Sequence, residues 1–240
     1  MSWAAKRFWD TARAVESEGG YAVHLDARPV KTPAKAGLIL PTRGLAEAIA
    51  AEWDAQNGQV DPKVMPLTRA ANAAIDKVSV QFAEVVALLA AYGDSDLTCY
   101  RAADPAPLAE RQAAAWDPLI DWADQAHGGR LIPVQGVIHQ PQNPAALEAL
   151  AAPLWAMSAF EVTALHDLIS LSGSLIIGLA ASAEHQPVAA LWAASRIDEE
   201  WQIEQWGADD EATLEADKKA RAFADAARFL ALTRGKNPPV

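Results

Sequence analysis

His166 and Asp167 stand side by side, with His139 upstream. A histidine–aspartate doublet joined by a further histidine is how metal-dependent phosphohydrolases gather ligands around an ion that activates water. Such a centre needs another histidine and aspartate delivered by neighbouring helices. The other histidines, His24, His127 and His185, show no supporting spacing, and neither His-Glu-x-x-His nor Glu-x-x-His occurs. A metal-dependent hydrolase using His166 and Asp167 is therefore the alternative reading. Phosphate chemistry finds no scaffold, since Gly-x-x-x-x-Gly-Lys and Gly-x-Gly-x-x-Gly are both missing. Ser172-Gly-Ser174 lies within a helical pattern rather than at a nucleophile elbow. The one cysteine, Cys99, allows neither an internal disulfide nor a cysteine zinc site, which fits a reducing compartment.

The stretch 195–207, Ser-Arg-Ile-Asp-Glu-Glu-Trp-Gln-Ile-Glu-Gln-Trp-Gly, concentrates the remaining polar chemistry. Read as the end of one helix that starts after Pro187, it puts Val188, Leu191, Trp192, Ser195, Glu199, Gln202 and Trp206 on a narrow face. Glu199 and Gln202 interrupt an otherwise apolar stripe. A carboxylate and an amide there are costly to bury unless paired. They are a satisfied buried pair, a helix end turning into water, or a polar contact site framed by Trp201 and Trp206.

The elements that must hold this stretch divide into two parts. Residues 1–62 read as a β-rich domain. Residues 3–15 suit a short amphipathic segment. Tyr21 to Leu25 and Val30 to Thr32 flank turn residues Asp26 to Pro29, as in a hairpin, and residues 37–41 form a third extended piece. Thr42 suits the N-cap of a helix over 45–56 that Asn57-Gly58 ends. Residues 63–240 read as mainly helical, after a linker marked by Asp61-Pro62 and Pro66. Residues 82–92 form an apolar helix and 97–100 a brief extended run. Asp104-Pro105 opens a helix running to about 126 that Gly128-Gly129 closes; residues 131–139 are extended, and Asn143-Pro144 opens the next helix. Ser158-x-x-Glu161 is a capping box before a long apolar helix containing Gly173 and Gly178. The last helix carries its acids early and its bases late, matching the helix dipole. The fold class is α+β.

Bulk properties narrow the function. Of 240 residues 51% are hydrophobic, so a sizeable core is available. The net charge of −11, with no basic stripe, argues against nucleic acid. Residues 168–183 are uncharged but short of the roughly 20 needed to cross a bilayer and carry four serines, so membrane insertion is not expected. Nine tryptophans in an acidic, helical chain fit a binder better than an enzyme, because tryptophan concentrates at interaction surfaces.

Several segments together resemble a known family. They are Arg7-Phe-Trp9, Gly19-Gly-Tyr21, Leu25-Asp26 with Lys31-Thr-Pro33, Glu52-Trp-Asp54 with Gln56, and Pro66-Leu-Thr68. Further along come Thr98-Cys-Tyr-Arg101, Trp116-Asp-Pro118 with Trp122-Ala123, and Ser195-Arg196 through Trp206-Gly207. In this order they resemble the assembly chaperones of the F-type ATP synthase catalytic sector that act on the α subunit. The resemblance implies a non-catalytic role, with no cofactor and no metal: keeping the unassembled α subunit soluble until a β subunit replaces the chaperone. It implies client binding through the closing segment, Asp198, Glu199, Glu200 and Gln202, with Trp201 and Trp206 framing it. A monomer is the expected state. The N-terminus shows neither an apolar signal segment nor a long acid-free transit segment, so the expected location is the bacterial cytoplasm, or the mitochondrion if a presequence has been removed.

Overall fold

The computed structural model describes residues 6–236. The strands in the first part are β1 (Ala12–Ser17), β2 (Gly20–Leu25), β3 (Arg28–Pro29) and β4 (Ile39–Leu40), followed by helices α1 (Arg43–Asp54) and α2 (Pro66–Ala73). Next come α3 (Phe82–Ala91), strand β5 (Tyr100–Arg101), α4 (Ala106–His127), strand β6 (Val134–Gln135) and α5 (Pro144–Trp155). The chain then runs through α6 (Ala159–Ser172), α7 (Leu175–Ser182), α8 (Val188–Ala194), α9 (Ile197–Trp206) and α10 (Asp210–Thr233). This is an α+β fold with its main sheet at the N-terminal end. Among the described residues no helix is long and apolar enough to cross a membrane.

The chain forms two compact units. The first holds the described residues up to Phe82, then Ser158–Ala164, then those from Arg228. Its sheet centres on β2, which pairs antiparallel with β1 from Ser17↔Gly20 to Ala12↔Leu25. The other edge of β2 carries β4 and then β3. Only glycine fits at the start of β2: a Cβ on Gly20 would lie 2.3 Å from the Leu40 carbonyl oxygen of β4. The turn at Asp26 forms as expected, and its carboxylate accepts from the amides of Asp10 and Thr11. The amphipathic segment expected over 3–15 does not extend to its end, because residues 12–15 pair in β1; residues 3–5 lie outside the described residues.

Helix α1 packs against this sheet through Leu45, Ala46, Ile49 and Ala50, all buried. Thr42 is its N-cap as expected, accepting from the Leu45 amide at 3.2 Å. A single 3-10 turn, Pro62–Val64, leads into α2. Two family-like motifs act as joints here. The Arg7 guanidinium donates to the carbonyls of Trp9, Asp10, Asp54 and Gln56. The Glu52 carboxylate accepts from the Leu67 and Thr68 amides and the Thr68 hydroxyl at 2.6–2.8 Å, satisfying donors that the start of α2 leaves open.

The second unit holds Ala83–Met157 and Leu165–Ala227. Its centre is α7, all of whose residues are buried. The long helix expected to contain Gly173 and Gly178 is broken: Gly173, at φ +71, ends α6, and Ser174 caps α7 by accepting from the Ile177 amide. The chain packs closely at Gly178, where a Cβ would lie 2.4 Å from Ile169 Cγ1. Asp96 is fully buried beside this break, accepting from the Thr98 amide and hydroxyl, the Ser174 hydroxyl and the Ile176 amide at 2.7–3.0 Å. Those bonds coil the Leu97–Cys99 segment, expected to be extended, into a 3-10 turn. Of the extended run expected over 131–139, only β6 pairs, in parallel with β5. Helix α4 starts one step later than expected, with Pro105 as N-cap, and ends at Gly128 in the left-handed conformation as expected.

Candidate functional site

The stretch 195–207 is not the end of one helix. Helix α8 stops at Ala194 and α9 starts at Ile197. The cause is local. The buried Ser195 hydroxyl donates back to the Trp192 carbonyl at 2.7 Å, and Arg196 leaves helical geometry at φ −113°, ψ 10°. The single stripe from Val188 to Trp206 therefore dissolves. Its first part, Leu191 and Ser195, is buried, whereas Gln202 and Trp206 point to solvent and Trp206 is 78% exposed.

The end of α8 and helix α9 are held by α4. The Trp116 indole donates to the Ala194 carbonyl at 2.8 Å, the Gln112 amide to the Asp198 carboxylate at 2.5 Å, and Arg111 to both oxygens of Glu204 at 2.8 and 2.9 Å. As numbers fall along α4 they rise along α9, so the helices run antiparallel. Arg111 also lies over the Trp201 ring, 5.2 Å from its centroid. Its guanidinium holds the Glu204 carboxyl below the usual carboxylate range. The Gln112 side chain is buried, and its oxygen accepts from the Ala102 amide at 2.8 Å.

The six expected site residues thus separate by environment. Asp198 is tied to Gln112, and Trp201 lies beneath Arg111. Glu199 pairs with Arg196 at 2.6 Å, with its side chain 45% exposed. It is neither a buried core acid nor fully free. Glu200, Gln202 and Trp206 are exposed, and no side chain among the described residues partners them. Asp198, Glu199 and Glu200 also occupy the first turn of a helix without a side-chain cap, where negative charge is favourable. Beyond Trp206, Gly207 turns the chain at φ +90°, and Asp209 caps α10 by accepting from the Ala212 amide.

Sequence reasoning missed Arg111 and Gln112. Gln112 was legible in principle: it shares a helical stripe with Trp116, Leu119, Ile120 and Ala123, all buried, so its amide needed partners.

The alternative metal centre does not assemble. His166 bonds its own neighbour Asp167 at 3.0 Å, while His139 sits between the Tyr100 hydroxyl and the Asp94 carboxylate. Among the described residues no group of three or more histidine, cysteine, aspartate or glutamate side chains could hold a metal ion.

The chain matches known proteins along its length. A family model described as ATP12 chaperone protein matches residues 6–124. An aspartate-to-lysine mutant of Atp12p from Paracoccus denitrificans is 48% identical, covers 98% of this chain and all of its own, and superposes with a TM-score of 0.94. Atp12 from the same organism is also 48% identical, over 97% of this chain and all of its own, with a TM-score of 0.93. The Atu1473 protein of Agrobacterium tumefaciens is 39% identical over 95% of this chain and 86% of its own, with a TM-score of 0.90. Identity of this extent joined to one shared fold means that the chain belongs to the ATP12 family, the assembly chaperones of the ATP synthase, and is not an enzyme.

Proposed function

We propose that the client is the α subunit of the ATP synthase catalytic sector, bound and shielded before assembly through the segment carrying Asp198, Glu199, Glu200, Trp201, Gln202 and Trp206. The observation behind this is the two-sided character of α9. Asp198, Trp201 and Glu204 are engaged by α4, while Glu200, Gln202 and Trp206 are left free on the outward side. An aromatic anchor beside polar groups on a supported helix suits an exchangeable interface, and tryptophan dominates such hot spots. The unassembled subunit exposes apolar surface meant for its neighbours, and such surface aggregates unless covered. The proposed setting is the bacterial cytoplasm, with the chaperone acting as a monomer.

Titration of purified α subunit into the chain tests the reading. Trp206→Ala removes a side chain that is mostly exposed, so the fold should survive. Loss of a hot-spot tryptophan costs about 2 kcal/mol of binding, roughly a 30-fold weaker Kd. Equal affinity of wild type and variant would remove Trp206 from the interface, and no binding by wild type would remove the α subunit as client.

A further inference from the structure

Two histidine rings meet Trp122 of α4, a residue of the family-like motifs. His185 stacks on it, with centroids 4.7 Å and planes 19° apart. His127, the last residue of α4, stands at right angles to it, at 5.4 Å and 88°.

His185 belongs to the turn that ends α7. Its amide donates to the Ala180 carbonyl at 2.9 Å, and the Glu184 amide donates to the Ala181 carbonyl at 3.1 Å. This pair of bonds closes a helix through one left-handed residue, most often glycine. Here Glu184 takes that place, at φ +54°. A side chain in this conformation is strained, and neighbouring contacts must offset the cost. The stack on Trp122 is such a contact, because it fixes the residue after Glu184 against α4.

On the other side of Trp122, the Nε2 of His127 is buried and has no hydrogen-bond partner among the described residues. A neutral ring leaves one polar atom unpaired there. An imidazolium would leave a charged donor unpaired, which is far more costly. The surrounding groups do not remove that cost. Asp121 and Asp124, earlier on α4, are paired by Arg130 at 2.6 and 3.7 Å. The turn after α7 contributes Glu184 and His185, both exposed. Helix α5 abuts the end of α4, where a Cβ on Gly129 would lie 2.6 Å from the Ala146 carbonyl oxygen, and its one acid, Glu148, is exposed. A helix C-terminus favours positive charge, but burial prevails and holds the His127 imidazole below its ordinary range.

We infer that Trp122, His127 and His185 form a pH-sensitive latch between the end of α4 and the turn that joins α7 to α8. When His127 takes a proton its ring leaves Trp122 for water. The indole then loses its backing, the stack on His185 weakens, and the strained turn at Glu184 loosens from α4. The folded ring holds its proton less tightly than the unfolded one. The latch is therefore fully closed above the ordinary histidine value near pH 6.5 and weakens as pH falls from there to the folded value.

NMR on the full chain tests this, with histidine ring titrations and amide protection factors measured between about pH 5 and 8. The expected result is a His127 ring that titrates below its ordinary value. Protection at the Glu184 and His185 amides should fall by up to about tenfold per pH unit below about 6.5, while the amides of β2 keep theirs. His127→Phe retains a ring but no proton, so its protection factors should not change with pH. His185→Phe retains the stack and should still show the fall. A His127 ring titrating at or above its ordinary value overturns the latch, as does protection that is independent of pH in wild type. So does a fall that persists in His127→Phe or disappears in His185→Phe. If His127→Phe does not fold, the wild-type curves decide: the fall must level off below the midpoint of the His127 ring, and a fall that continues past it overturns the latch.

Discussion

Gln112 offers a test of how α9 is held. In Gln112→Leu the volume is nearly kept, so no large cavity opens. Two bonds are lost, from the Ala102 amide and to the Asp198 carboxylate. A stranded buried donor or acceptor costs about 1–3 kcal/mol. Asp198 is half-buried and can turn to water, so the lower part of that range applies, about 1–2 kcal/mol. For a chain of this size each kcal/mol moves the melting temperature by about 2–4 °C, which gives a fall of about 2–8 °C. Gln112→Glu keeps the shape but sets a second carboxylate against Asp198. That repulsion raises the proton affinity of the pair in the folded state, so this variant loses more stability at pH 7 than at pH 4. Circular-dichroism melts of the three proteins at both pH values measure this. A Gln112→Leu protein that melts with wild type, or a Gln112→Glu penalty that grows on acidification, would refute the account of α4 as the support of α9.

Three further outcomes follow from buried or paired groups. Burial pushes the Asp96 carboxyl above its ordinary range despite its donors. A raised folded-state value stabilises most below the unfolded value near pH 4 and less as pH rises through the folded one. Asp96→Asn cannot accept from both the Thr98 and Ile176 amides, so thermal melts should show a loss that is larger at pH 4 than at pH 7; a loss growing with pH would contradict this. Burial, and then the charge of Asp96, push the Cys99 thiol up to about 12, so a thiol reagent at pH 8 should label it only after denaturation, and rapid labelling of folded protein would show the site to be open. Glu199→Gln removes a half-exposed ion pair with Arg196, which should cost under about 1 kcal/mol in chemical denaturation; a larger loss would place Glu199 in the core.

Features coded by a few consecutive residues were legible in the sequence. The Thr42 cap, the Ser158–Glu161 box and the Gly128 stop appear where local chemistry demands them. The β-rich start and the helical remainder follow from turn residues and apolar periodicity. What escaped depends on distant partners or on competition within a turn. Strand β1 forms because β2 offers its edge. The 3-10 turn at Leu97–Cys99 follows from Asp96, whose carboxylate also reaches Ser174 and Ile176 far along the chain. The break between α8 and α9 turns on one serine hydroxyl satisfying a carbonyl that a continuing helix would claim. For the candidate site, the acidic and aromatic residues were visible but not their division. Only the pairing with Arg111 and Gln112 separates side chains that hold α9 from those it presents.

Suppression of α-subunit aggregation, followed by light scattering as the subunit is diluted from denaturant, tests the central claim most directly. Wild type is compared with a Trp206→Ala, Glu200→Lys double variant whose melting temperature is measured on the same preparation. Both positions lie on the unpartnered side of α9. The account predicts that wild type keeps the subunit in solution while the variant, melting normally, lets it aggregate. A normally melting variant that protects as well as wild type would contradict it.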